Sequence, residues 1–142
     1  MVLGGVTVPS DRGLAGHSDA DVLIHAVIDA MLGAAGAGNI GMHFPDTDPA
    51  FRDVPSTDLL KRTMALLHDR AVRVQNIDVV VVAERPKLSP FLDAMCETVA
   101  ATVGVGSDRV SIKPKTAEQM GTIGAGEGVA AMAVALVDVP ET

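Results

Sequence analysis

Histidines, a serine and several carboxylates crowd the stretch from Gly16 to Gly41 and the loop that follows it. It opens with Gly16-His17-Ser18-Asp19-Ala20-Asp21 and carries His25 and Asp29 through an apolar run. It leaves through Gly36-Ala37-Gly38-Asn39-Ile40-Gly41 into His43-Phe44-Pro45-Asp46-Thr47-Asp48. His17 and Ser18 at a helix N-terminus suit an anion, because free N–H groups and the helix dipole favour negative charge there. The plainer alternative is that Ser18 only caps the helix and His17 is a loop residue. His25 is either a metal ligand that needs partners from elsewhere, since one imidazole does not hold zinc, or a hydrogen-bonded core residue. Asp21 and Asp29 either support such a ligand or are surface charges.

A second polar cluster is Lys113-Pro114-Lys115-Thr116-Ala117-Glu118. Two lysines, a hydroxyl and a carboxylate at a strand end suit a diphosphate: the lysines neutralise charge and Glu118 can hold Mg²⁺ against it. A solvated strand end is the alternative. The glycine-rich run Gly121 to Gly128 lacks the G-x-x-x-x-G-K-[ST] pattern of a phosphate loop.

The elements that must position these groups follow from periodicity and turn chemistry. Val2 to Val8 reads as a strand ended by Pro9-Ser10-Asp11-Arg12-Gly13. Ser18 and Asp21 form an [ST]-x-x-[DE] capping box, so a helix should start there and run through Val22 to Ala35, apolar on most sides and therefore buried. Asp21, His25 and Asp29, each four residues apart, share one stripe of it. A long loop through Pro55 follows, and loops of that length are usually functional. Thr57 to Arg70 reads as an amphipathic helix, and Val72 to Ala83 as a strand whose run Val79 to Val82 suggests cover on both faces. Ser89 as cap with Pro90 at the first helical position starts a helix to about Val103. Val110 to Lys115 and Val129 to Val139 are the remaining strands. The expected fold is an α/β (α+β) sandwich: a four-stranded mixed sheet with helices on one face.

The chain of 142 residues is the size of one domain. It has no Trp or Tyr and only 3 Phe, so its core is built from small side chains, and burying one face in an oligomer is a natural supplement. A net charge of −7 argues against nucleic acid as a bulk partner. The single Cys96 excludes an intrachain disulfide. No apolar run reaches the length of a membrane span and no leader-like segment is present, so the expected location is cytoplasmic.

His17-Ser18-Asp19-Ala20-Asp21 with His25, then Gly38-Asn39-Ile40-Gly41 and His43-Phe44-Pro45-Asp46-Thr47-Asp48-Pro49, resembles the 2-C-methyl-D-erythritol 2,4-cyclodiphosphate synthase family. Arg85-Pro86-Lys87, Lys113 to Glu118 and Gly124-Ala125-Gly126-Glu127-Gly128 fall where that family's later motifs fall, so the resemblance covers essentially the whole chain. It implies a phosphorus-oxygen lyase of the non-mevalonate isoprenoid pathway. In that reaction the 2-phosphate of a cytidine-diphosphate-linked methylerythritol attacks the β-phosphorus and CMP leaves. It also implies a homotrimer with active sites between subunits, Zn²⁺ or another divalent transition metal beside the β-phosphate, and Mg²⁺ or Mn²⁺ bridging the diphosphate. By the same resemblance His25 is a zinc ligand and Glu118 a magnesium ligand, while His17 and Thr116 act on the transferring phosphate. Ser18, Asn39, Ile40, Gly41 and the loop Phe44, Pro45, Asp46, Thr47, Asp48 bind substrate. Ala83, Pro86, Lys87, Leu88 and Ser89 hold the nucleotide, with Lys115 and Thr116 arriving from the neighbouring subunit.

The sequence departs from the family pattern at identifiable points. The other two zinc ligands, an Asp and a His one residue apart, belong to a strand upstream of Met1, so the single domain spanning 1–142 is expected to be N-terminally truncated relative to the family. Asn39 stands where an Asp usually takes the ribose hydroxyls. Thr122 and Ala125 occupy positions that often carry Phe and Arg, and Lys115 replaces a common Thr. The competing expectation is therefore a catalytically impaired trimer that binds cytidine nucleotides without turnover, because its zinc site is incomplete.

Overall fold

In the computed structural model, which describes residues 1–16 and 18–142, the chain begins with a tight hairpin. Strands β1 (Val2–Leu3) and β2 (Val6–Thr7) pair antiparallel, Val2 opposite Thr7 and Leu3 opposite Val6. Gly4 and Gly5 form the turn at φ 60° and 73°, the left-handed conformation that two-residue hairpin turns require. The expected single strand over Val2 to Val8 is thus folded back on itself, and the main sheet has three strands rather than four.

That sheet is mixed, as expected. Its centre is β3 (Arg73–Val82), flanked by β4 (Val110–Lys115) in parallel and β5 (Ala130–Asp138) in antiparallel register, with Val80 opposite both Lys113 and Met132. Helices cover one face. Helix α1 (Val22–Ala34) buries Leu23, Ile24, Val27, Ile28, Met31 and Leu32, which is why its apolar run has so few polar breaks. Helix α3 (Ser56–Asp69) turns Leu59, Leu60 and Leu67 inward, and α4 (Leu92–Val103) contributes Met95 and Val99. Helix α4 ends at Gly104, whose φ of 84° gives the left-handed stop.

The opposite face of the sheet is open. Val79 and Val81 are buried toward the helices, but Val80 and Val82 are only half-buried, so the expected cover on both faces is absent within one chain. On β5 the outward side chains Met132, Val134 and Leu136 are 78%, 71% and 61% exposed.

The long segment before Pro55 is organised by short turns: α2 (Ile40–His43) and a single 3-10 turn at Pro49–Phe51. Helix α4 is likewise preceded by a 3-10 turn, Ser89–Phe91, and Ser89 makes no side-chain cap. The glycine-rich connection forms α5 (Gly121–Gly124).

Candidate active site

Helix α1 organises the site through its polar stripe. Its cap is Asp21, not Ser18: the Asp21 carboxylate accepts the Ile24 N–H at 3.0 Å. The reason is tertiary. Asp21 is fully buried and also accepts the N–H groups of Gly4 and Gly5, at 2.9 and 2.7 Å, so it joins the hairpin turn to the helix start. Burial raises the Asp21 pKa, opposed by the N–H groups of Gly5, Ile24 and Gly4. One helical turn on, the His25 Nε2 lies 2.9 Å from Ser56 Oγ and 3.3 Å from Ser18 Oγ. One turn further, Asp29 accepts the N–H of Ile40 at 2.8 Å. Each member of the stripe thus fastens a different segment to α1.

Ser18 is released from capping because its backbone is left-handed, φ 56°, as is that of Ala20, φ 55°. Between them Asp19 faces the start of α3, accepting the Ser56 N–H at 3.1 Å and the Ser56 hydroxyl.

These residues open onto a cavity of about 490 Å³ lined by Ser18, His25, Ile40, Gly41, Phe44, Pro45 and Asp46, among others. The structure therefore brings together much of what the sequence assigned to substrate. The cavity wall also includes Phe51, Arg52 and Leu59, which sequence reasoning did not single out. Phe44 and Phe51 meet edge to face, centroids 5.4 Å apart, with the Arg62 guanidinium 5.6 Å above the Phe51 ring. Ser56 was also missed; its only local signal is its place after Pro55 at a helix start. Asn39 caps α2 through the Met42 N–H at 3.0 Å, and Asp48 caps the following 3-10 turn through Ala50 N–H. Neither Asn39, Thr47 nor Asp48 lines the cavity. The expected role of His17 lies outside the described residues.

The second cluster stands apart. Lys115, Thr116 and Glu118 line neither this cavity nor a larger groove of about 840 Å³ formed by Met1, the turn from Pro9 to Leu14, Arg85, Pro86 and Gly126 to Val129. Glu118 N–H meets Thr116 Oγ1 at 3.3 Å, and Glu84 accepts the Ala117 N–H at 3.1 Å, tying this loop to the end of β3. Lys113 is directed to the open sheet face, where its ammonium is 2.7 Å from the Asp78 carboxylate. Of the nucleotide set, Pro86 lines the larger groove, Lys87 and Ser89 are exposed, and Ala83 and Leu88 are buried, leaving their backbone as the available contact.

The donor set fits the implied metals unequally. Glu118 is exposed at a loop, and Mg²⁺ is commonly held by one carboxylate together with substrate phosphates and water. His25 fits the role of one zinc ligand, its Nε2 engaged by serines and its Nδ1 without a hydrogen-bond partner among the described residues. No group of three His, Cys, Asp or Glu able to hold a metal occurs among the described residues, so they do not by themselves complete a zinc site.

Residues 1–138 match the YgbB family. The 2-C-methyl-D-erythritol 2,4-cyclodiphosphate synthase of Symbiobacterium thermophilum is 58% identical over 137 residues, which span 96% of this chain and 87% of that protein. The bifunctional IspDF of Campylobacter jejuni superposes with a TM-score of 0.94 at 38% identity, over 99% of this chain but 38% of that one. A 2C-methyl-D-erythritol-2,4-cyclodiphosphate synthase in its CDP-bound form superposes with a TM-score of 0.88 at 36% identity, over 97% of this chain and 89% of that one. With its mixed sheet, its α1 stripe and the residues from Ile40 to Asp46 that line one cavity with His25, the chain belongs to the YgbB family, that of the 2-C-methyl-D-erythritol 2,4-cyclodiphosphate synthases.

Proposed function

We propose that this chain converts 4-diphosphocytidyl-2-C-methyl-D-erythritol 2-phosphate to 2-C-methyl-D-erythritol 2,4-cyclodiphosphate and CMP. The observation that carries this reading is the single cavity in which α1 and the α2 loop bring Ser18 and His25 against Ile40, Gly41, Phe44, Pro45 and Asp46. In the reaction an oxygen of the 2-phosphate bonds to the β-phosphorus while the bond from that phosphorus to the CMP oxygen breaks, and CMP carries away the electron pair. Such a transfer needs positioning and charge neutralisation more than covalent chemistry.

In this reading Phe44, Pro45 and Ile40 enclose the carbon skeleton and exclude water, while Ser18 and Asp46 supply polar contacts to it. Thr116 and His17 hydrogen-bond the transferring phosphate, and Lys115 offsets its charge. The segment from Ala83 to Ser89 holds the nucleotide, with Asn39 offered to its ribose. Divalent metals, one at His25 and one at Glu118, would supply Lewis-acid withdrawal of charge from the phosphate oxygens.

The site is proposed to be shared between subunits of a homotrimer, because Lys115, Thr116 and Glu118 line neither cavity of the single chain. The exposed row Met132, Val134 and Leu136 is an apolar face of the kind that subunit contact covers. No helix among the described residues is long and apolar enough to cross a membrane, which accords with the proposed cytoplasmic location.

The test is CMP release from the cytidine diphosphate substrate with Zn²⁺ and Mg²⁺ present, alongside metal analysis of the purified chain. Turnover with stoichiometric zinc, both lost in His25→Ala, supports this reading. Absence of zinc and of CMP, with CDP still bound, would replace this reading by that of a nucleotide-binding trimer.

A further inference from the structure

We infer that Ser56, held by Asp19, is the positioning residue that fixes the His25 imidazole in its Nε2–H tautomer and leaves Nδ1 with the lone pair, as its ligating atom. The argument is a donor and acceptor count around one buried hydroxyl. Ser56 is fully buried. An ionised carboxylate only accepts, so the contact between Ser56 Oγ and Asp19 spends the hydroxyl proton on Asp19. The same Asp19 side chain takes the Ser56 backbone N–H at 3.1 Å, which fixes the serine at two points. With its only proton committed, Ser56 Oγ can act toward its remaining neighbours only as an acceptor.

Two groups approach those lone pairs: His25 Nε2 at 2.9 Å and Ser18 Oγ at 3.2 Å. Both must donate. Ser18 can do so by rotating its hydroxyl, but His25 can do so only with a proton on Nε2. In a neutral imidazole the other nitrogen, Nδ1, then carries the lone pair. Metal-bound histidines commonly have their second nitrogen held by an oxygen acceptor, which sets both tautomer and ring orientation. Here that acceptor is an alcohol whose direction is imposed by a carboxylate.

The segment bearing Asp19 is shaped for this. It lies between Ser18 and Ala20, both left-handed, which lets Asp19 face the start of α3 while Asp21, two residues on, faces the hairpin. His25 and Ser56 are 31 residues apart in sequence, so no local motif announces the pair.

The inference rests on the reading of His25 as a metal ligand, and its test separates the two. Long-range ¹H–¹⁵N correlation spectra of the full chain without metal, in alkaline buffer, report the tautomer directly. The expected wild-type pattern is a single Nε2–H tautomer, and Nδ1–H in its place overturns the proposal without needing any variant. Ser56→Ala should lose the single-tautomer pattern, because the acceptor that holds the Nε2 proton is gone. An unchanged single tautomer in that variant likewise overturns it. In wild type, added Zn²⁺ should shift the Nδ1 resonance and leave the Nε2 proton in place. If zinc moves neither nitrogen, the metal role of His25 fails while the tautomer lock stands on its metal-free spectrum. If zinc removes the Nε2 proton, the lock itself is wrong.

Discussion

A single carboxylate, Asp21, holds three backbone N–H groups from two parts of the chain, those of Gly4, Gly5 and Ile24. Asp21→Ala leaves all three buried donors without this acceptor, and we expect a loss of about 2–3 kcal/mol in denaturant unfolding. The pH dependence has a definite sign. Because burial raises the folded pKa of Asp21 above its unfolded value, the stability linked to this group is fully present below the unfolded pKa. It declines as pH rises through the raised folded value. A salt-bridged carboxylate would behave in the opposite way. Melting temperatures of wild type and Asp21→Ala across the acid range should therefore differ most at the low end, and a difference that grows with pH would contradict the assignment.

Among elements, α1 acts as a spine to which three segments are fastened at successive turns: the hairpin by Asp21, the start of α3 by His25, and the start of α2 by Asp29. The hairpin itself tolerates little change. Gly5 has φ 73°, and a Cβ there would stand 2.7 Å from Thr98 Cγ2 and 2.8 Å from Thr57 Cγ2. Gly5→Ala is expected to cost at least the ~1–2 kcal/mol of a left-handed non-glycine residue, read as a lower unfolding midpoint. The third fastening, Asp29 to Ile40, belongs to the loop that lines the cavity. Asp29→Ala should speed amide exchange at Ile40 while leaving the buried face of α1 protected. Equal acceleration along α1 would show that Asp29 supports the helix rather than the loop.

At the scale of the whole molecule, the unfinished surface is the open face of the sheet. One strand presents Met132, Val134 and Leu136 outward, while the Lys113–Asp78 ion pair lies on the same side. If the proposed trimer closes there, Val134→Glu places a charge in the buried contact and should reduce the mass seen by light scattering to that of a single chain. CMP release should fall with it, since Lys115 and Thr116 would no longer reach a neighbour's cavity. A variant that keeps its oligomeric mass would place the contact elsewhere.

What the sequence determined by itself was whatever short-range pattern encodes: the long helices and the strands at Val72–Ala83, Val110–Lys115 and Val129–Val139. Apolar periodicity and proline or glycine punctuation act over a few residues, so these were legible to within a residue or two. The tertiary structure alone decided the rest. It moved the cap from Ser18 to Asp21, because a glycine turn far from it in sequence supplied further donors to the same carboxylate. It folded Val2–Val8 into a hairpin, because Gly4 and Gly5 take left-handed backbone against α4. It placed Ser56 on His25 across 31 residues and on Asp19 across 37. Spacing along a chain carries no information about such pairs. They exist only because packing α1 against α3 buries polar atoms that must then find one another.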